Sequence, residues 1–292
     1  MLMLSRPDPT CDQVLSLMYH NVCRTRFADG SFPGFNALSP SITSYFVDEE
    51  TFDSQCRMIA ESGRAIRFDA LRHRSATPSS AGPRVLLTFD DGWLDSVHVG
   101  GPILESHGLT AMLFVTTELI GLPDFVRKET LQKLSSTFTV GSHARTHRLL
   151  ADLPDDQVRM ELQVSKLTLE DILGSEVDTL AYPGGSYDPR VQRIAQEIGY
   201  RWIFTSEPTI SRIESNSLRI GRVAVKSDTS IEAVSRWLTG DVRAESRRAM
   251  ALATAKRIMG RRLYRTVRTR LLNEQTDHLE MTDLVHHSPP SV

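Results

Sequence analysis

The chain has few cysteines, little net charge and no long apolar run. Its three cysteines, Cys11, Cys23 and Cys56, include no Cys-x-x-Cys pair, so we expect a reducing compartment and no disulfide framework. The net charge of −2 predicts no general attraction to nucleic acid. No stretch of about 18 apolar residues occurs, and the N-terminus lacks the apolar region of a signal peptide. These absences predict a cytoplasmic protein without a spanning helix.

Short apolar runs alternate with amphipathic segments along the 292 residues. Residues 85–89 and 111–115 have the continuous apolar pattern of strands buried on both faces, and 155–173 has helical spacing. This alternation predicts an α/β fold, a parallel sheet with helices outside, either open or closed into a barrel. Active sites of such barrels lie at the carboxyl ends of the strands. The polar residues that follow predicted strands are His20, Asp90, Asp91, His143 and Pro183-Gly184.

Two adjacent carboxylates, Asp90 and Asp91, end the predicted strand 85–89 and precede Gly92. Neighbouring side chains at a strand end diverge, so one carboxylate can bind a cation while the other remains free as a base. Asp-Asp-Gly is also an ordinary turn sequence, and from this run alone that alternative stays open.

His143 and His147 are four residues apart, a spacing that places two imidazoles on one side of a helical turn. Two histidines and one carboxylate, here Asp91, with other positions left to water, are the ligands of an open catalytic metal site. Taken without the aspartates, the two histidines could instead be surface residues of a polar loop that bind no metal. A non-haem iron oxygenase uses the same ligands but explains neither the paired aspartates nor His20.

Three motifs together resemble the polysaccharide deacetylase (NodB-homology) family. They are Thr88-Phe89-Asp90-Asp91-Gly92, Ser142-His143-Ala144-Arg145-Thr146-His147 and Ala181-Tyr182-Pro183-Gly184-Gly185. The similarity extends over roughly residues 12–228. The resemblance implies a distorted (β/α) barrel of about seven strands and metal-dependent hydrolysis of a sugar N-acetyl group.

By this resemblance, Asp91, His143 and His147 hold a divalent metal, usually Zn²⁺. Asp90 would be the general base, and the metal with a backbone N–H near Tyr182 would hold the oxyanion. These assignments give the protein a cofactor and most of a catalytic site.

The family's general acid is usually a histidine in a Leu-x-His motif near the C-terminal end of the domain, and residues 218–223 contain none. His20 takes this role by resemblance to a permuted branch that acts on exopolysaccharides such as poly-N-acetylglucosamine. The alternative is that His20 is a structural residue whose ring is hydrogen-bonded within a turn at the end of the strand.

Two positions depart from the family pattern. Ala181 stands where many members have an arginine that orients the base, and Gly184 stands where the permuted branch often has tyrosine. We expect Gly184 to widen the cleft. Trp93 is predicted to form an apolar wall for a sugar ring, and with Pro183 and Gly184 it makes up the predicted substrate-binding set.

Outside the catalytic domain, predicted as 14–240, we expect a flexible leader (1–13), a basic amphipathic helix (241–272) and a disordered tail (273–292). The predicted helix has ten arginine and lysine residues against Asp241 and Glu245, with apolar residues interleaved. This composition is typical of a surface that contacts anionic lipid, so we expect peripheral membrane contact. A solvated helix packed on the domain is the alternative.

The sequence therefore favours a hydrolase that removes N-acetyl groups from an amino-sugar polysaccharide or its lipid-linked precursor. An O-acetyl esterase or a hydrolase of small cyclic amides could use the same residues. A non-catalytic carbohydrate-binding relative is a further alternative.

Overall fold

The computed structural model describes residues 12–73, 82–213, 219–255 and 279–286 and is dominated by a curved, mostly parallel sheet. The strands are β1 (Asp12–Tyr19), β2 (Asn21–Cys23), β3 (Phe46–Asp48), β4 (Arg84–Phe89), β5 (Ala111–Val115), β6 (Phe138–Ser142), β7 (Thr179–Ala181), β8 (Trp202–Phe204), β9 (Ser211–Ile213), β10 (Arg219–Ile220) and β11 (Arg222–Ala224).

Helices surround this sheet. They are α1 (Pro40–Thr43), α2 (Glu49–Glu61), α3 (Phe68–Arg72), α4 (Leu94–His98), α5 (Gly100–Ser106), α6 (Lys128–Gln132), α7 (Asp155–Leu173), α8 (Pro189–Ile198), α9 (Ile231–Leu238), α10 (243–255) and α11 (Met281–His286). Three short 3₁₀ helices lie at Thr117–Leu119, Leu150–Asp152 and Pro183–Gly185.

The main sheet has the strand order β10-β8-β7-β6-β5-β4-β1-β11, and neighbours in this order are parallel. β9 pairs antiparallel with the beginning of β1. The two ends of the order, β10 and β11, are separated in the chain only by Gly221. The sheet therefore nearly closes, which confirms the predicted distorted barrel with eight strands along its path rather than about seven.

The central strands are buried as their apolar sequences predict. Every residue of β5 and all but the first residue of β4 are buried, because helices cover the outside of the sheet and side chains fill its interior. The register pairs Tyr19 with Phe89 and Val115 with Ser142. Consequently the residues that follow these strands lie level with one another at one rim of the barrel.

Several predicted boundaries are wrong. β1 begins at Asp12, inside the predicted leader. Part of the predicted disordered tail is ordered: residues 279–286 form a β-bridge and α11, because Met281 is buried among apolar side chains. The predicted helix 241–272 begins two residues late and is helical over 243–255, and residues 256–272 lie outside the described residues.

Among the residues that the structure describes, none of the helices combines the length and apolarity needed to cross a membrane.

Candidate metal centre

The predicted catalytic residues come together at the carboxyl ends of three strands. Asp90 and Asp91 follow β4, His143 follows β6 and His20 follows β1. Backbone hydrogen bonds continue the strand pairing up to these residues, since Asp90 N–H donates to the Tyr19 carbonyl (3.0 Å) and His143 N–H donates to the Val115 carbonyl (2.9 Å). The strand register therefore fixes the backbone positions from which these side chains extend.

Asp91 is held with one carboxylate oxygen turned toward both imidazoles. Its Oδ2 accepts a hydrogen bond from the indole N–H of Trp93 (3.0 Å). Its Oδ1 lies 3.5 Å from His143 Nε2 and 3.3 Å from His147 Nε2, is buried, and has no well-aligned hydrogen bond among the described residues. A buried carboxylate oxygen without a donor is costly unless a cation occupies the space that it faces.

His143 presents a lone pair to the same space. Its Nδ1 lies 2.9 Å from the Ala181 carbonyl, an oxygen that can only accept, so Nδ1 carries the proton and Nε2 is left as a donor atom for a metal. Burial lowers the pKa of His143 to about 4, so the ring is neutral near pH 7, as a metal ligand must be.

The loop from His143 to His147 is not the helical turn that the four-residue spacing predicted. Ala144 and His147 have left-handed φ values of 60° and 61°. Buried Glu161 of α7 fixes this shape, because its carboxylate accepts the backbone N–H groups of Arg145 (3.1 Å) and Thr146 (2.8 Å) and the Thr146 hydroxyl (2.6 Å). A bent loop tied to α7 therefore brings the imidazoles together.

These donors fit a divalent metal. The ligand atoms of Asp91, His143 and His147 all lie within 4.8 Å of one another. Zinc binds nitrogen and oxygen at about 2.0–2.1 Å in a tetrahedron, which puts neighbouring ligand atoms about 3.3 Å apart. The distances from Asp91 Oδ1 to the two imidazole nitrogens, 3.5 and 3.3 Å, are close to that value.

Asp90 is occupied by a different partner, Arg222 of β11. Arg222 Nη1 donates to Asp90 Oδ1 (2.6 Å) and Nη2 donates to Oδ2 (2.8 Å). The guanidinium is 0% exposed and is itself fixed by the Thr205 carbonyl and by Thr88 Oγ1. Burial alone would raise the pKa of Asp90, but the positive charge of Arg222, helped by His143 and His20, lowers it. Asp90 is therefore an ionised carboxylate bonded to Arg222, and its Oδ2 lies 3.9 Å from His143 Nε2.

Sequence reasoning missed Arg222. It left the orientation of Asp90 unexplained, because Ala181 stands at the position from which many relatives supply an arginine. The structure provides the guanidinium from β11, the strand that pairs with β1 at one end of the sheet. The only local signal was an arginine between Gly221 and the apolar residues that follow it.

His20 lies beside the paired aspartates. Its ring packs on Tyr45 at a centroid distance of 4.6 Å, and its Nδ1 is buried without a hydrogen-bond partner among the described residues. Burial lowers the pKa of His20, although the charges of Asp91 and Asp90 act in the opposite direction. This placement leaves the general-acid role open to His20.

The predicted oxyanion donor at Tyr182 requires a correction. The backbone N–H of Tyr182 donates to the Phe204 carbonyl (3.2 Å), and the ring is buried against Tyr187. Tyr182 therefore offers no free amide. The next amide along the chain is that of Gly184, since Pro183 has none, and it makes no backbone hydrogen bond within the described residues.

The predicted substrate-binding residues are placed differently from expectation. Trp93 is 1% exposed and packs between Phe46 and Phe125, so it cannot form a wall for a sugar. Its function here is to orient Asp91. Pro183 is buried, and Gly184 does not widen the cleft, because a Cβ at its left-handed φ of 56° would lie 2.7 Å from Leu149 Cδ2. Exposed Leu149 occupies that space instead.

Comparison with known proteins agrees with this geometry. The profile of the family described as polysaccharide deacetylase matches residues 77–203, a range that contains all three motifs. The Bacillus subtilis protein YxkH, a candidate polysaccharide deacetylase, is 26% identical over 147 residues. That alignment covers 50% of this chain and 53% of YxkH, so the chain spans about half the length of this relative.

Solved structures share the fold. The Streptococcus pyogenes deacetylase PplD in complex with acetate superposes with a TM-score of 0.64 at 23% identity, covering 78% of this chain and 99% of PplD. IcaB from Ammonifex degensii gives 0.65 at 21% identity, covering 78% and 97%. The barrel and the three motifs are in place, and residues 77–203 of the chain match the polysaccharide deacetylase family.

Proposed function

We propose that the protein is a metal-dependent hydrolase that removes N-acetyl groups from an amino-sugar polysaccharide or its lipid-linked precursor. The observation that carries this proposal is that the two adjacent carboxylates have different partners. Asp91 Oδ1 faces His143 and His147, whereas both oxygens of Asp90 accept hydrogen bonds from Arg222, and Asp90 Oδ2 lies farther from His143 Nε2, at 3.9 Å. A hydrolase of this kind needs one carboxylate as a ligand and another as a base.

Asp91, His143 and His147 would hold the metal, with Zn²⁺ the best match to the donor set. When bound, such a cation polarises the acetyl carbonyl and lowers the pKa of water. Asp90 accepts the proton of the attacking water. Arg222 keeps Asp90 ionised and fixes both of its oxygens, so the base meets the water in one orientation.

After water attack, the amine must leave with a proton. We infer that His20 donates it, and its lowered pKa makes the imidazolium a stronger acid. The backbone N–H of Gly184 replaces that of Tyr182 as the donor that stabilises the oxyanion, because it is the uncommitted amide nearest in the chain to the predicted one.

An O-acetyl ester or a small cyclic amide could be hydrolysed by the same residues, and a non-catalytic glycan-binding protein could retain them. Metal-loaded protein incubated with a panel of N-acetyl oligosaccharides, O-acetyl esters and small cyclic amides distinguishes these outcomes by the acetate or ring-opened product formed. We expect acetate chiefly from the N-acetyl oligosaccharides. The proposal would be wrong if acetate were released only from the esters, if product formed only from the cyclic amides, or if no product formed from any substrate.

Asp90→Asn is expected to keep the metal but to lower turnover by about 10²–10⁴-fold, because the amide cannot accept the water proton. Metal content and the rate of acetate release are measured on the same preparation. Asp156→Asn, an exposed carboxyl in the first turn of α7, is the matched control and should change neither. Near-normal turnover by Asp90→Asn would exclude Asp90 as the base.

We also infer a peripheral contact of α10 with anionic lipid. Met250 and Leu252 are exposed on this helix and lie three and four residues after Arg247 and Arg248, which are also exposed. Residues at these spacings are neighbours on a helix surface, so the helix presents apolar and basic groups together. Such a surface suits a lipid-linked precursor of the glycan.

Replacing both Arg247 and Arg248 with glutamine should weaken binding to vesicles of anionic lipid more than about tenfold, since each basic residue near such a surface contributes about 1 kcal/mol. Sedimentation with the vesicles measures the effect. The control replaces Arg57 and Arg67, exposed arginines of the barrel. Equal vesicle binding by the unsubstituted protein, the α10 variant and the control variant would contradict the membrane contact.

A further inference from the structure

Residues 279–286, here called the C-terminal strap, cross the rim of the barrel that contains the metal centre. At one end, Leu279 N–H donates to the Ala37 carbonyl (2.8 Å) and Ser39 N–H donates to the Leu279 carbonyl (3.1 Å). These bonds form a parallel β-bridge between Leu279 and Leu38. The strap is therefore attached to the loop between β2 and α1.

The other end of the strap packs against the loops that carry the metal ligands. Met281 is 4% exposed in an apolar cluster with Trp93, Leu119 and Phe125. α11 contacts the 3₁₀ helix Thr117–Leu119, which is hydrogen-bonded to the histidine loop through Thr117 N–H to the Ala144 carbonyl (3.2 Å). The strap thus lies one layer from His143 and His147.

Glu280 is the exposed residue between these two attachments. Both of its carboxylate oxygens lie 3.2 Å from Ser41 Oγ, and no lysine, arginine or histidine pairs with it among the described residues. A serine hydroxyl donates one hydrogen, whereas a carboxylate has about four acceptor sites, so most of its capacity is unused.

The strap and the loop that holds it lie outside the range matched by the family profile, residues 77–203. A carboxylate fixed at the rim by these segments bears on which substrate is bound, since the candidate reacting groups are already supplied by the strands.

We propose that Glu280 is a substrate-positioning residue that accepts hydrogen bonds from the hydroxyl groups of a glycan lying across the rim. This inference rests on the proposed function and narrows its substrate to an oligosaccharide or polysaccharide. A small acetyl ester carries no hydroxyl groups to reach Glu280 and gains nothing from it. Carboxylate-to-hydroxyl hydrogen bonds of this kind give both affinity and orientation.

Binding, rather than turnover, tests the proposal. An N-acetylglucosamine tetramer is titrated by calorimetry into zinc-loaded Asp90→Asn protein, with and without Glu280→Gln. We expect Glu280→Gln to weaken tetramer binding about tenfold through loss of the charge-assisted bonds, with zinc affinity unchanged. Glu61→Gln, which removes an equally exposed carboxylate at the end of α2, is the control and should bind as before.

The outcomes separate this inference from the proposed function. Tetramer binding that is equal with and without the Glu280→Gln substitution, or no tetramer binding by either protein, would overturn the role of Glu280. Tetramer binding that depends on Glu280, in a protein whose unsubstituted form releases no acetate from any substrate, would support the inference and refute the deacetylase activity. Glu280→Gln leaves the Ser41 hydroxyl an acceptor, so loss of the fold is not expected.

Discussion

Arg222→Met is expected to lower the free energy of unfolding by about 3–5 kcal/mol, the usual effect of removing one partner from a buried ion pair. The pair formed by Arg222 and Asp90 is fully enclosed, and methionine has similar length but no charge. Asp90 would then be a buried carboxylate without a counter-ion. Urea denaturation followed by circular dichroism measures the loss.

A second substitution separates charge from packing. If the cost comes from the uncompensated carboxylate, Asp90→Asn in the Arg222→Met background should recover part of the lost stability. If the double variant is as unstable as the sum of the two single variants, the ion pair is not the source of the effect. An unchanged unfolding midpoint for Arg222→Met would contradict the observed pairing.

The pair also predicts a direction of pH dependence. Asp90 has a lowered pKa in the folded state, so its contribution to stability is present above the ordinary aspartate pKa of about 3.9 and is lost as the pH falls through the lower folded-state value. The stability difference between wild type and Arg222→Met should therefore narrow below about pH 4. A difference that widens with acidification would show that Arg222 does not stabilise the ionised carboxylate.

The second large effect concerns the metal. Asp91→Ala, His143→Ala and His147→Ala should each weaken zinc binding more than about 100-fold, since replacing even the residues that only orient ligands costs about 10–100-fold. Trp93→Phe tests the smaller effect expected of a residue that only orients a ligand. It removes the N–H donated to Asp91 Oδ2 and keeps the aromatic packing. Zinc titration and metal content of the purified proteins measure both effects.

His107→Ala is the control for these substitutions. His107 is hydrogen-bonded to Asp53 on the outer helices, remote in the chain from the metal centre, and its loss should leave zinc binding unchanged. Stoichiometric zinc in any of the three ligand variants would remove that residue from the ligand set. An unchanged zinc affinity in Trp93→Phe would instead limit Trp93 to packing.

The sequence predicted the parts of the site that depend on local pattern. Apolar residues 85–89 predicted a buried strand, and the order of strand and polar residue predicted that Asp91 and His143 would share a rim. The strand ends are brought together by parallel pairing, which repeats in every barrel of this kind. The ligand positions followed from that regularity.

Features set by distant contacts were not predicted. The partner of Asp90 is 132 positions away on β11, and nothing near Arg222 in the sequence indicates which strand it faces. Trp93 follows the paired aspartates and was expected to face the substrate, but the rings of Phe35, Phe46 and Phe125 cover it. The strap was expected to be disordered, and its order could not be predicted because Met281 gains its apolar contacts only in the folded barrel.

The most direct test of the metal centre is a crystal of the zinc-soaked protein measured at the zinc absorption edge. We expect one anomalous peak about 2.0–2.2 Å from Asp91 Oδ1, His143 Nε2 and His147 Nε2, with Asp90 bonded to Arg222 and not to the metal. A peak coordinated by Asp90, or no peak between the two imidazoles and Asp91, would contradict this metal centre.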